Sequence, residues 1–189
     1  MWHVKALLGC VCIGLLHVIP VRAADPVGLY GAPIWTSGIE DKQQWQEGDV
    51  KLPVAPRKES LVPFFVSSTT ENRFFVDPES ISIGPDRVVR YTLVIQTSGG
   101  ATNTSYEGMR CETRERRLYA LGRSDGSWSA ARNKDWAKIQ DGDVNRQYAA
   151  LFFEYFCPDG ITVANATEAK RLLRKGEERS LPCCVTIGR

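Results

Sequence analysis

The apolar residues of this chain change their spacing near residue 145, and this change constrains the fold more than any other feature. Before it, short runs alternate at period two, most clearly from Val89 to Ile95. After it, from Asn145 to Phe156, large apolar side chains recur at intervals of three and four. The order predicts an α+β domain: an antiparallel sheet of about six strands, built as a meander of hairpins, followed by two C-terminal helices packed on one face.

Turn residues separate the predicted strands. Asp77-Pro78-Glu79-Ser80 and Gly84-Pro85-Asp86 predict turns, and Asp125-Gly126 predicts a hairpin between two strands that run from Arg116 to Arg132. Gly108 predicts a β-bulge, because the residues on either side of it break strict alternation.

Two helices are expected after the last strand. Asp143 or Asn145 is the predicted cap of the first helix, which Pro158 and Gly160 would end. Asn165 to Glu168 resembles a capping box for a second helix that ends at Gly176.

The first 23 residues have the pattern of a secretory signal peptide. Lys5 supplies a positive charge, Ala6 to Ile19 is almost wholly apolar, and a cut is expected after Ala23. The run is shorter than the roughly 20 apolar residues that a membrane-spanning helix needs, so no transmembrane segment is expected. We therefore expect export to the periplasm or cell envelope. Lipid attachment at Cys10 is the alternative, but a cut there would leave a very short apolar region.

Cleavage would change the chemistry of the mature chain. It would remove His3 and His17, the only histidines, and it would leave equal numbers of basic and acidic residues. Since imidazole is the usual base of Ser-His and Cys-His catalysis and the commonest metal ligand, we expect no such enzyme, no metal and no cofactor. Formal neutrality argues against nucleic acid as a partner.

Four cysteines would remain, and in an exported chain they are candidates for disulfides. Cys111 and Cys157 both lie in apolar or aromatic surroundings and are the preferred pair, which would join the sheet to the first helix. Cys183 and Cys184 are adjacent, and the alternatives for them are exposed thiols, a second bridge or an intermolecular disulfide.

Composition divides the chain into four parts. Residues 1–23 are the predicted signal peptide, and residues 24–60 an extended acidic leader with Pro and Gly, from which Trp45 is expected to dock onto the domain. Residues 61–176 are predicted to form a single α+β domain, and residues 177–189 a tail.

The best candidate for recognition is a stripe of arginine and aromatic residues on the predicted hairpin. Its members alternate along two strands: Arg117, Tyr119, Arg123, Trp128 and Arg132. Such a face can bind a carboxylate, a phosphate or a sugar. The alternative is a solvated outer face whose arginines pack over aromatic rings and pair with nearby carboxylates.

Carboxylate chemistry is the remaining catalytic alternative. Glu107, Glu112 and Glu115 lie close in sequence, and a glycosidase needs two acids across a cleft. Acids at this spacing on strands are more often solvated or paired with arginine, so no catalytic residue is assigned.

Five strings of residues together resemble the CNP1-like family of exported Gram-negative proteins. They are residues 72–77 (NRFFVD), 88–94 (VVRYTLV), 106–111 (YEGMRC), 122–128 (GRSDGSW) and 155–158 (YFCP), and the resemblance covers about residues 57–175. It implies an envelope location and carries over no activity or catalytic residue. The plan is also similar to the surface-adhesin protein E fold.

These observations predict an exported, non-enzymatic binding or structural module. The expected partner is an envelope protein or a small anionic or sugar ligand. The alternatives are a surface-exposed adhesin-like protein and a carboxylate-dependent hydrolase of envelope polymers.

Overall fold

An antiparallel meander forms the centre of the computed structural model. The structure describes residues 45–142 and 145–180, and for residues 177–180 it describes the backbone alone. Consecutive strands pair in the order β1-β2-β3-β4-β5-β6, and β7 pairs with β5. The predicted α+β class is confirmed. The strands are β1 (Val62–Pro63), β2 (Arg73–Ile83), β3 (Val88–Gln96), β4 (Thr102–Arg110), β5 (Glu115–Gly122), β6 (Trp128–Ala130) and β7 (Ala137–Lys138).

Strand β2 continues through the segment where Asp77-Pro78-Glu79-Ser80 predicted a turn, so that prediction was wrong. The pairing of β2 with β3 shifts between Asp77 and Ser82, which marks a bulge and accommodates Pro78. Side chains replace the missing ladder bonds: the Ser80 hydroxyl donates to the Asp77 carbonyl at 2.7 Å and accepts from the Thr92 amide at 2.7 Å. Turn-forming residues here stabilise an irregular strand.

The bulge predicted at Gly108 lies instead on the neighbouring strand. β4 pairs with β3 without interruption, whereas the register with β5 shifts beside Tyr106 and makes Tyr119 the extra residue. A Cβ atom at Gly108 would lie 2.3 Å from the Tyr119 hydroxyl oxygen. Gly108 is therefore needed because the Tyr119 ring lies over it.

Two helical segments follow the sheet, as predicted. Helix α1 (Arg146–Ala150) continues directly as a π-helix (Leu151–Phe156), and helix α2 spans Ala166–Ser180. Asn145 stands before α1 with φ 65° and makes no side-chain capping bond, while Asp143 lies outside the described residues.

The capping box of α2 is present. The Asn165 side chain accepts from the Glu168 amide at 3.0 Å, and the Glu168 carboxylate accepts from the Ala164 amide at 2.7 Å. The helix continues past Gly176 to Ser180, so the predicted end at Gly176 was wrong. A Cβ atom at position 176 would lie 2.4 Å from a ring carbon of Tyr155, so this glycine lets α2 pack closely on the ring.

The main core lies between the helices and one face of the sheet, here called the helix face. Tyr91 and Leu93 of β3 and Met109 of β4 are fully buried against Leu151 and Phe156 of the π-helix. The predicted disulfide between Cys111 and Cys157 joins the end of β4 to the end of the π-helix, with the two Cα atoms 5.4 Å apart. The cross-link thus fixes the first helix on the sheet.

Candidate functional site

The opposite face of the sheet, the outer face, is also buried, although neither α1 nor α2 nor the π-helix packs on it. Val88, Arg90 and Thr92 of β3 are each no more than 4% exposed. Their cover includes residues 45–55, here called the strap, which form no helix or strand. The Trp45 indole donates to the Asp86 carbonyl at 3.0 Å, and the Trp128 indole donates to the Pro53 carbonyl at 2.8 Å. Trp45 therefore docks onto the domain, as its position in the sequence suggested.

The strap places one carboxylate, that of Glu47, among three donors of the outer face. The Tyr119 hydroxyl donates to Glu47 Oε1 at 2.6 Å, and Arg117 donates to Glu47 Oε2. Arg90 Nη2 lies 3.9 Å from Oε1. Burial, followed by the hydrogen bond to Glu47, raises the pKa of Tyr119, so the phenol stays neutral and acts as a donor. Arg90, Arg117 and Tyr119 are here called the clamp.

A second ion pair fixes the guanidinium of Arg90 beside the clamp. Asp86 accepts from Arg90 through both oxygens, at 2.6 and 3.2 Å, and also accepts from the Gly48 amide at 2.7 Å. Burial alone would raise the pKa of Asp86, but the hydrogen bonds from Arg90, Gly48 and Val88 outweigh it, so the pKa is lowered. Because both ions of this pair are buried, they hold each other in a fixed position.

The strap also makes an aromatic contact, at Trp45. The guanidinium carbon of Arg110 lies 3.6 Å from the ring centroid of Trp45 and 5.7 Å from that of Trp136. The two indoles meet edge to face with their centroids 5.8 Å apart. The strap is thus held by an aromatic contact at Trp45 and a carboxylate contact at Glu47, two residues apart.

Hydrogen-bonding capacity on the outer face is incompletely used. Four buried side-chain polar atoms lack a hydrogen-bond partner among the described residues, and three of them belong to Arg90, Thr92 and Arg117. Gly108 of β4 is the strand partner of Arg90 on β3 and of Arg117 on β5. Arg90 and Arg117 therefore stand in one row across the sheet, on the same face. An unpaired buried donor costs free energy, and its location marks where an additional acceptor would stabilise the structure.

The structure brings together three of the five residues of the predicted ligand face. Arg117, Tyr119 and Trp128 contact the strap. Arg123 follows β5 and is exposed, where it donates to the Ser129 hydroxyl at 3.2 Å, and Arg132 is exposed after β6. The bulge at Tyr119 breaks the expected alternation along β5, which is why Arg123 does not continue the stripe.

Sequence reasoning missed Glu47, Asp86, Arg90 and Arg110. Arg90 belongs to the face of β3 that alternation predicted to be polar, but it is only 4% exposed. Its partners are distant in sequence, since the strap contacts residues 38 to 75 positions away. No local pattern in the sequence indicates such contacts.

The three acids considered for catalysis do not share one cleft. Glu107 is buried on the helix face, where it accepts from the Ser105 hydroxyl at 2.6 Å and the Tyr148 hydroxyl at 3.2 Å; burial is the largest effect on its pKa, which is raised. Glu112 is exposed in a turn. Glu115 accepts from Thr113 and Lys138, and its strand partner is Arg110 of β4. Arg110 is three residues from Glu107 on the same strand, so Arg110 and Glu115 lie on the face opposite to Glu107.

A groove of about 590 Å³ lies beside the π-helix. Phe65 and Phe153, both about half exposed, form part of its lining. The lining also contains charged side chains of both signs, at Asp141, Arg146 and Glu154, whereas the outer face directs donors of one kind at a single carboxylate. The outer face is therefore the stronger candidate.

Two further findings concern the described residues alone. Neither α1 nor α2 has the length and apolar character of a membrane span, and residues 45–142 and 145–176 contain no group of three His, Cys, Asp or Glu side chains arranged to bind a metal ion. The predicted signal peptide, Cys10 and the Cys183-Cys184 pair lie outside the described part of the chain.

Residues 40–174 match the CNP1-like family. The chain belongs to the CNP1-like family. The match covers more than half of the sequence and begins before Trp45, so the family domain includes the strap, the sheet, α1 and the first nine residues of α2. The chain matches no curated protein and no solved structure. The likeness to the surface-adhesin protein E fold stays a prediction.

Proposed function

We propose that this CNP1-like protein is exported and acts in the periplasm or cell envelope as a non-enzymatic module that binds the anionic group of a partner on the outer face of its sheet. The observation that carries the proposal is the Glu47 carboxylate in the clamp of Arg90, Arg117 and Tyr119. A guanidinium fork and a neutral phenol are donors suited to a carboxylate or a phosphate.

Two observations support the proposed location. The first 23 residues have the charge and apolar pattern of a signal peptide. Cys111 and Cys157 form a disulfide in the structure, and structural disulfides persist chiefly in oxidising compartments such as the bacterial periplasm.

Fractionation of native cells and intact-mass measurement test the location. We expect the protein in the periplasmic or envelope fraction, with an N-terminus after Ala23 and a mass that increases on reduction. An uncleaved protein in the cytoplasm would contradict export. Degradation by protease added to intact cells would favour the adhesin-like alternative over a periplasmic module.

Site-specific photo-crosslinking in native cells tests the binding face. A crosslinking residue is placed at Ser82, which is exposed on β2 and is the strand partner of Arg90, and in a matched variant at Arg174, exposed on α2. We expect adducts with another envelope component at position 82 and not at 174, and their loss when Arg117→Ala is added. Equal adducts at both positions, or none at position 82, would refute binding at the outer face.

A further inference from the structure

We propose that the clamp is a peptide-binding site filled by the protein's own strap, and that the ligand replacing the strap is an extended segment with an aromatic residue two positions before a carboxylate. This inference rests on the proposed function and adds the class of ligand and the control of access to the site. The strap itself supplies the pattern, with Trp45 against Arg110 and Glu47 in the clamp.

The strap has the properties of a bound peptide. It forms no strand with the sheet, and its contacts with the outer face include separate anchors at Trp45, Glu47, Gly48 and Pro53. Between and beyond these anchors its apolar side chains are only partly covered: Val50 is 37% exposed, Leu52 50% and Val54 88%. None of these three side chains is anchored in the core, and separate polar anchors can be exchanged for equivalent anchors of another chain.

The strap leaves some hydrogen-bonding groups of this face without partners, and a ligand that used them would bind more tightly than the strap does. With Glu47 in place, Arg90 Nε, Arg117 Nε and Thr92 Oγ1 are buried and lack hydrogen-bond partners among the described residues. A tethered segment competes at an effective concentration that reaches millimolar values for short linkers, so an external segment making only the same contacts would rarely replace it. A segment with additional acceptors for these donors gains what the strap leaves unused.

Peptide binding to full-length variants tests the site. The probe is a fluorescent peptide of residues 41–57 of this chain, measured by anisotropy. Glu47→Gln weakens the internal occupant, so this variant should bind the probe at least tenfold more tightly than the wild type does. Asp49→Asn, which changes an exposed carboxylate of the same strap, is the matched control and should behave like the wild type.

Two further combinations establish that the clamp is the site of binding. A probe with Gln in place of Glu47 should bind the Glu47→Gln protein at least tenfold more weakly, and the double variant Glu47→Gln with Arg117→Ala should lose binding of the unchanged probe. Equal binding to wild type and Glu47→Gln, or binding that ignores Arg117, would overturn the inference.

Hydrogen exchange tests the inference on the wild-type protein, so the result does not depend on whether a variant folds. If the strap leaves by local opening, the Gly48 amide, which donates to Asp86, should exchange at least a hundredfold faster than the buried amides of β3. Equal protection of Gly48 and β3 would mean that the strap leaves only when the whole domain unfolds, and would overturn the inference. Adducts at position 82 together with a negative peptide result would refute the proposed ligand class but support binding at the outer face. A positive peptide result without adducts at position 82 would refute the cellular role alone.

Discussion

Loss of the Cys111–Cys157 disulfide should destabilise the domain by about 4 kcal/mol. The bridge closes a loop with a sequence separation of 46 residues. In the chain-entropy model such a loop restricts the unfolded chain by about 13–14 cal/mol/K, which is about 4 kcal/mol at 25 °C. Because small domains are stable by only about 5–15 kcal/mol, this is a large share of the total. For a domain of this size we expect the Tm to fall by about 10–16 °C.

The assay compares three forms of residues 24–189 by calorimetry and urea denaturation, all in a Cys183→Ala, Cys184→Ala background that excludes thiol exchange. The forms are oxidised protein, reduced protein and the double variant Cys111→Ala, Cys157→Ala. Both disulfide-free forms should lose the loop contribution. The double variant should lose roughly 1–2 kcal/mol more, because two buried sulfur atoms are removed. A reduced protein that melts within about 3 °C of the oxidised one would refute the loop-entropy reasoning.

Two further predictions concern Gly108 and Glu107. Gly108→Ala should destabilise the protein by about 1–3 kcal/mol in urea denaturation, because the new methyl group meets Tyr119. Gly142→Ala is the control, because no atom of the described residues lies within 4 Å of a Cβ atom there, and equal effects of the two substitutions would contradict the packing argument. Glu107→Gln tests the carboxylate whose pKa is raised chiefly by burial. Since the folded pKa exceeds the unfolded one, the contribution of Glu107 to stability is greatest below the unfolded pKa and is lost as pH rises through the folded pKa. The Tm of the variant relative to wild type should therefore increase between pH 4.5 and 8, and a constant or decreasing difference would contradict this sign.

The features that sequence reasoning predicted are those encoded by neighbouring residues. Asp125-Gly126 forms the expected hairpin turn, with Gly126 at φ 82°, and Asn165 and Glu168 form the expected capping contacts. The spacing of Tyr148 to Phe156 correctly indicated a helical segment. It could not indicate the π-helix, because this segment has only six residues, little more than one turn, which is too short for a different spacing of apolar residues to be seen.

The features that were missed depend on contacts between distant residues. Pro78 and its neighbours have the composition of a turn, and only pairing with β3 shows that they form a bulge. Gly108 was correctly identified as unusual but was assigned the wrong reason, since the cause is the ring of Tyr119 on the next strand. Only part of the outer-face site was predicted. The alternation of residues on β5 and β6 indicated their arginine and aromatic side chains, but it could not indicate Glu47, which lies 70 residues from Arg117.

The strap has a consequence for the order in which the chain folds. Each strand from β1 to β6 pairs with its neighbour in sequence, so the meander can form by successive local closures as the polypeptide is made. The strap precedes every strand, yet its anchors need the turn before β3 and strands β5 and β6, 38 to 75 residues later. We expect the first described residues of the chain to be placed last. Each newly made molecule would pass through a stage in which the sheet is complete and its guanidinium groups are still open to solvent.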